Sequence, residues 1–258
     1  MIKNWFITGD THGPQQLKRR LNIFHTKYKN LIPEETGIII LGDVALNWYG
    51  PGPGQCSKDD YDKRYFNDHG YHLYILRGNH EMRPSTIDNV EMYFDENVHG
   101  CCLMQVQFPH IHYFLDGGEC YSINNQSVIT IPGAYSVDKD YRLSAGLTWF
   151  RDEQLSQEEM INLYHKILMY GDEEAVVLSH TCPLEFEPEI KYLFMDGIDQ
   201  ENVNKDTERF LDKILKLVPD YKYWYFGHFH DDNDFPNIRA TILYNKIIPF
   251  GSTLEETL

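Results

Sequence analysis

"WFITGDTHG", residues 5–13, is an apolar run that stops at Gly9 and then presents Asp10, one spacer, His12 and a second glycine. A short apolar run closed by glycine predicts a strand buried on both faces. The same form recurs in "GIIILG" (37–42), "LYILRG" (73–78), "AVVLS" (175–179) and "YWYFG" (223–227). Helical patterns lie over roughly 14–28, 57–69, 156–171 and 204–220, the last two with polar starts and Gly or Pro stops. Strand alternating with helix predicts parallel βαβ units and an α/β fold.

The middle of the chain differs. "CCLMQVQF", "IHYFL", "ECYSI" and "QSVITIPG", and later "RATILY" and "KIIPFG", succeed one another without helices, which predicts antiparallel strands. "LDGGECY" and "INNQSV" supply turns. "NWYGPGPGQCSKDD" (47–60) reads as a mobile surface loop, because its prolines and glycines continue neither regular structure. With no repeat or long linker, residues 1–258 are expected to form one domain.

Bulk properties narrow the function. The chain is 42% hydrophobic and 14% aromatic, enough for a substantial core. A net charge of −16 argues against gripping a long nucleic-acid duplex through its phosphates, and favours a small or locally presented substrate. Five cysteines without C-x-x-C predict reduced thiols. No apolar run nears the roughly 20 residues of a membrane span, and no signal-like start is visible, so a soluble cytoplasmic protein is expected.

The residues just past the strands carry the chemistry. Asp10 and His12 come after the first run, Asp43 after the second, Asn79 and His80 after the third, His180 after a later one, and His228 and His230 of "GHFH" after the last. In an open parallel sheet the C-terminal strand ends share one edge, where ligands bind. Apart from His80, these are seven potential metal ligands on one rim, and their types suit two divalent ions about 3.5–4 Å apart. Asp43 is the natural bridge, since a carboxylate binds one ion with each oxygen; imidazoles suit manganese, iron, zinc or nickel, and the Asn79 amide adds an uncharged oxygen. Two dications, two carboxylates and a hydroxide sum to about +1, which attracts a phosphate ester. His80, next to Asn79, points away from that ligand and is placed as a general acid, with Glu81 or another acid as its partner. Singly, each residue also reads as structural: "PHIHYF" places His110 and His112 on one strand face with no catalytic role expected, and His180 alone fits a core histidine. Five strand ends together do not fit chance.

In this order, "GDTHG", "LGDVA", "RGNHE", "LSHTCP" and "FGHFH" resemble the calcineurin-like metallophosphoesterase superfamily. The resemblance implies two packed mixed β-sheets flanked by helices, a four-layer sandwich. It implies one metal on Asp10, His12, Asp43 and His230, and another on Asp43, Asn79, His180 and His228, with His80 as the acid. It implies attack of a metal-bound hydroxide in line on phosphorus. Where the protein serine/threonine phosphatase branch continues its second motif with Asp-Arg-Gly, "GDVALNW" has Leu46 and Asn47, so a dedicated phosphoprotein phosphatase is disfavoured. Phosphate-binding cations are then expected elsewhere, at Arg83 or Arg142, each of which also reads as a surface ion pair. "IPGAYSVDKDYRL" (131–143) has a short resemblance to the RNA lariat-debranching enzymes, which leaves open a nucleotide or RNA phosphodiesterase with Trp48, Tyr49, Tyr135 or Trp149 stacking on a base. A non-catalytic scaffold of the same fold is the third reading, and the complete ligand set stands against it.

Overall fold

The computed structural model describes residues 1–49, 56–190 and 202–257. Among them, two mixed sheets pack face to face. One runs, in spatial order, through β13 (Ile247–Pro249), β1 (Asn4–Thr8), β2 (Thr36–Ile40), β3 (His72–Ile75), β6 (Ile111–Tyr113), β5 (Gly100–Gln105) and β4 (Val90–Asp95). The other runs through β11 (Asn233–Phe235), β12 (Ala240–Ile242), β10 (Tyr223–Phe226), β9 (Val176–Ser179), β8 (Gln126–Ile131) and β7 (Glu119–Ile123). β1, β2, β3 and β6 pair in parallel, as do β8, β9, β10 and β12. Antiparallel strands complete both sheets.

Helices α1 (Pro14–Lys27) and α2 (Cys56–Asp68) cover the first sheet, and α4 (Gln157–Tyr170) and α6 (Asp206–Leu217) the second. Short helices α3 (Lys139–Ser144) and α5 (Glu187–Ile190) sit in connections. The side-chain alternation along β2 shows why its run is apolar throughout. Ile38 and Ile40 face Leu17, Leu21, Phe24 and Phe66 of the helices, while Ile39 faces Leu178 and Tyr225 of the other sheet. Each side chain so buried contributes roughly 1.5–3 kcal/mol. On the far side, Met160, Leu163 and Ile167 of α4 and Phe210, Leu211 and Ile214 of α6 pack on Ile129, Val177 and Trp224. The result is the expected four-layer α/β sandwich.

The predicted strands and helices match to within a few residues, but β4 and β11 have no counterpart among them. β6, β8 and β12, expected to be antiparallel, each pair in parallel on one side, with β3, β9 and β10, because crossovers return the chain to the sheet in the same direction. α2 begins at Cys56, so the expected loop over 47–60 is helical at its end, and residues 50–55 lie outside the described residues. A capping box starts α4: Ser156 accepts from Glu159 N, and Glu159 accepts from Ser156 N. Cys101, Cys102, Cys120 and Cys182 are free thiols. No helix among the described residues is long and apolar enough to cross a membrane.

Candidate metal centre

The C-terminal ends of β1, β2, β3, β9 and β10 bring the seven candidate ligands together. His12 Nε2 and His230 Nε2 converge to 2.5 Å, with Asp10 Oδ2 at 3.7 Å from the first and 3.5 Å from the second. Deeper, His180 Nε2 lies 2.7 Å from Asn79 Oδ1 and 3.6 Å from Asp43 Oδ2. The His228 ring stands edge-on to His180 at 5.1 Å. Two overlapping sets of donors result, Asp10 with His12 and His230, and Asp10 with Asp43 and His180. Asp10 belongs to both sets.

Backbone contacts divide the work of the two carboxylates. Asp10 Oδ1 accepts from His228 N at 2.8 Å and Asp43 Oδ1 accepts from His80 N at 2.8 Å. Their Oδ2 atoms are buried without any hydrogen-bond partner. Such orphaned anionic oxygens are costly unless a cation meets them. Burial lowers the pKa of His12 to about 4, and it lowers those of His228 and His230, so these rings stay neutral, the form that ligates. His180 is different: burial opposes its charge, yet Asp43 and Asp10 carry its pKa up to about 9. Burial pushes Asp10 up to about 7 against the pull of His180. Asp43 also suffers burial, but His180 and His80 beside it hold it well below the usual carboxylate range. Unpaired carboxylate oxygens among neutral imidazoles are a donor set that fits divalent cations.

Four candidate ligands hold left-handed backbone: His12 at φ 43°, Asp43 at 53°, His228 at 66° and His230 at 57°. Each such residue costs about 1–3 kcal/mol, and strain of this kind gathers at functional sites. His180 donates through Nδ1 to Leu41 O at 2.7 Å, which turns Nε2 inward.

His80 stands half-buried at the cavity wall, its ring 6.0 Å from that of His12. Glu81 does not orient it. The Glu81 carboxylate accepts instead from Gly78 N at 2.9 Å and Asp43 N at 3.1 Å, bracing the strand ends against each other. The groups at His80 Nε2 are Asn79 Nδ2 at 3.2 Å and Arg142 Nη2 at 3.5 Å. Burial lowers the His80 pKa, Asp43 opposes and Arg142 adds to the lowering, so a proton on this ring is readily given up.

The two candidate phosphate-binding arginines part company. Arg142, on α3, is held by Asp138 at 2.7 Å and lines a cavity of about 240 Å³ together with His12, Asp43, His80, Trp48 and Tyr49. Arg83 is pinned to Glu159 of the capping box, to Asp152 and to the Gln154 carbonyl, and it does not line that cavity. Leu46 and Asn47 are buried. Trp149 donates to Glu153, and Lys139 lies over the Tyr135 and Trp149 rings. His112 is buried between Tyr93 and His72 in the first sheet, stacked on Tyr74 and outside the cluster, and His110 packs against His72.

Three supports escaped the sequence. Arg20 of α1 reaches under the first motif to donate to the Asp10 and Gly9 carbonyls. Tyr244 stacks on His230 at 5.2 Å, and Ser136 accepts from Asn79 Nδ2 at 2.9 Å. Tyr244 lies just past β12, whose parallel pairing with β10 brings it to the same rim, so the strand-end rule would have found it. An arginine mid-helix and a serine in a loop carry no comparable signal.

A family model described as calcineurin-like phosphoesterase matches residues 6–232. No curated protein matches the chain. Similar solved structures include a Staphylococcus aureus protein named as a 5′-nucleotidase, in complex with alpha-ketoglutarate, at 13% identity and a TM-score of 0.46. That match covers 94% of this chain and 49% of the other, so the chain spans about half the length of that protein. Phosphopantetheinyl hydrolase from Mycobacterium tuberculosis matches at 11% identity and a TM-score of 0.44, covering 93% of this chain and 89% of that one. Neither likeness bears on substrate.

Proposed function

The chain belongs to the calcineurin-like phosphoesterase family, and from that premise we propose that it hydrolyses a small or locally presented phosphate ester with two divalent metal ions. The ions would be held by Asp10, His12, Asp43, Asn79, His180, His228 and His230. The observation that carries this reading is the pair of orphaned, buried oxygens, Asp10 Oδ2 beside the His12 and His230 rings and Asp43 Oδ2 beside His180. When bound, such ions supply the charge that draws a phosphate and the acidified water that displaces its alcohol in line.

The remaining work falls to the chain's own groups. Arg142 has its guanidinium steadied by Asp138 with Nη2 turned to His80, so it can fix a phosphoryl oxygen at the cavity wall. His80 gives a ring proton to the departing alkoxide, helped by burial, which lowers its pKa against the opposing pull of Asp43. Trp48 and Tyr49 line the cavity and favour a second reading, a nucleotide or RNA phosphodiesterase in which the leaving group stacks on them.

The test is a parallel assay of protein reconstituted with manganese, iron, zinc or nickel on a monoester, a diester, a 2′,3′-cyclic nucleotide, a branched RNA and a phosphopeptide. Metal-dependent turnover of the monoester supports the first reading, and preference for the cyclic or branched RNA supports the second. A metal-loaded protein inert to all five sinks both.

A further inference from the structure

The candidate ligand Asn79 has an ambiguous side chain: its amide presents an oxygen on one side and an NH2 on the other, and only the oxygen can ligate a cation. In the structure Oδ1 faces His180 Nε2, while Nδ2 faces Ser136 Oγ at 2.9 Å and, at the longer distance of 3.2 Å, His80 Nε2. Ser136 is itself buried, and its hydroxyl has one proton, which goes to Glu153 Oε2. Glu153 carries acceptors alone when ionised, and donors surround it. Ser136 N reaches Oε1 at 3.0 Å, and Trp149 Nε1 reaches Oε2 at 2.8 Å. The Glu153 backbone is fixed as well, since its carbonyl accepts from Arg77 Nη1 at 2.7 Å.

The geometry points to Ser136 and Glu153 as positioning residues that set the amide of Asn79, so that its oxygen and not its nitrogen faces the metal centre. The order of donation dictates this. Because Glu153 can only accept, the Ser136 proton turns toward it. Ser136 Oγ then offers a lone pair to Asn79, which must answer with Nδ2. An inverted amide would set Oδ1 against that lone pair and NH2 against the metal. This gives the 131–153 segment a role beyond its cavity-lining arginine. The inference rests on the proposed metal centre, and the measurement is chosen to separate the two.

The test is manganese binding by calorimetry and electron paramagnetic resonance, with thermal unfolding of the metal-free proteins alongside. Wild type should take two ions. Ser136→Ala removes the shorter of the two contacts of Asn79 Nδ2 and leaves the one to His80, and Glu153→Gln keeps the shape while setting an NH2 among donors. Each should weaken one ion by about 10-fold or more, the range for lost supports of metal ligands, and leave the other unchanged. Trp149→Phe, which removes one donor to Glu153, should give the same selective loss to a smaller degree. Two ions bound by every variant at wild-type affinity overturn the inference. So does an equal weakening of both ions, which marks general loosening. A wild-type protein that binds fewer than two ions overturns the metal centre itself and the inference with it.

Discussion

A β-carbon on Gly78 would stand 2.0 Å from Asp43 Oδ1 and 2.5 Å from Asp43 N. The Asp43 carboxylate is therefore placed by the absence of a side chain one motif away. Gly42 does the same for His180, because a β-carbon there would meet Nδ1 at 2.2 Å, and its φ of +103° already excludes most residues.

Gly78→Ala should accordingly act as a site mutation although glycine ligates nothing. Backbone cannot yield as a flexible side chain can, so Asp43 shifts by about an ångström, a displacement that costs on the order of 100-fold in rate. Measured kcat/KM and bound metal should fall together, with Asp43→Asn as the limiting case. A Gly78→Ala protein that keeps both ions and its full rate contradicts this account of Asp43.

His80→Ala should retain metal and lose rate in proportion to leaving-group difficulty. A p-nitrophenyl ester releases a stable anion and needs little proton donation, whereas an alkyl ester needs it fully. The kcat ratio of wild type to variant should be larger for the alkyl ester, by 10-fold or more as an order of magnitude. Equal slowing of the two esters removes His80 from the role of acid.

The parts of this fold that are legible in the sequence are those set by local interactions. Strand runs closed by glycine, polar helix starts and motif order are local, and they located the sheets, the helices and the rim. The convergence of Asp10, His12, Asp43, Asn79, His180, His228 and His230 is legible because strand direction alone gathers their carriers at one edge. The pairing of Arg83 with Glu159 was not legible, since it joins a loop to a helix start 76 positions away. The same holds for Ser136 under Asn79, 57 positions apart, and for Arg20 under Asp10, where a helix folds back on its own strand. Glu81, adjacent to His80, was the natural guess for its partner. Chain proximity misleads there, because the Glu81 carboxylate turns back to the Gly78 and Asp43 amides, while His80, expected to point away from Asn79, meets its Nδ2 at 3.2 Å.

The two arginines should separate in assays as they do in space. Arg142→Ala should raise KM and lower kcat/KM by about 10-fold or more through the loss of a charged hydrogen bond to phosphate. Arg83→Ala should leave KM unchanged and lower stability by roughly 1–2 kcal/mol, as a half-buried ion pair at the α4 start is lost. Urea midpoints and steady-state kinetics on both variants check the division. A raised KM in Arg83→Ala with unchanged stability reverses it.

Glu208 makes stability depend on pH. Its carboxyl is buried in α6, with Oε1 accepting from Thr181 Oγ1 at 3.1 Å and Oε2 without a partner. Burial pushes its pKa up to about 7 from an ordinary value of 4.5. Between those values the folded chain keeps a proton that the unfolded chain releases, so the contribution to stability falls as pH rises. It is fully present below about pH 4.5 and lost by the time pH has passed about 7, an effect on the order of 3 kcal/mol. Glu208→Gln keeps the acceptor for Thr181 and removes the titration. The variant should match wild type near pH 4.5 and gain on it progressively to a plateau above pH 7, in urea unfolding with chelator present. A difference independent of pH, or one that grows toward acid, shows that the Glu208 side chain is ionised in the fold.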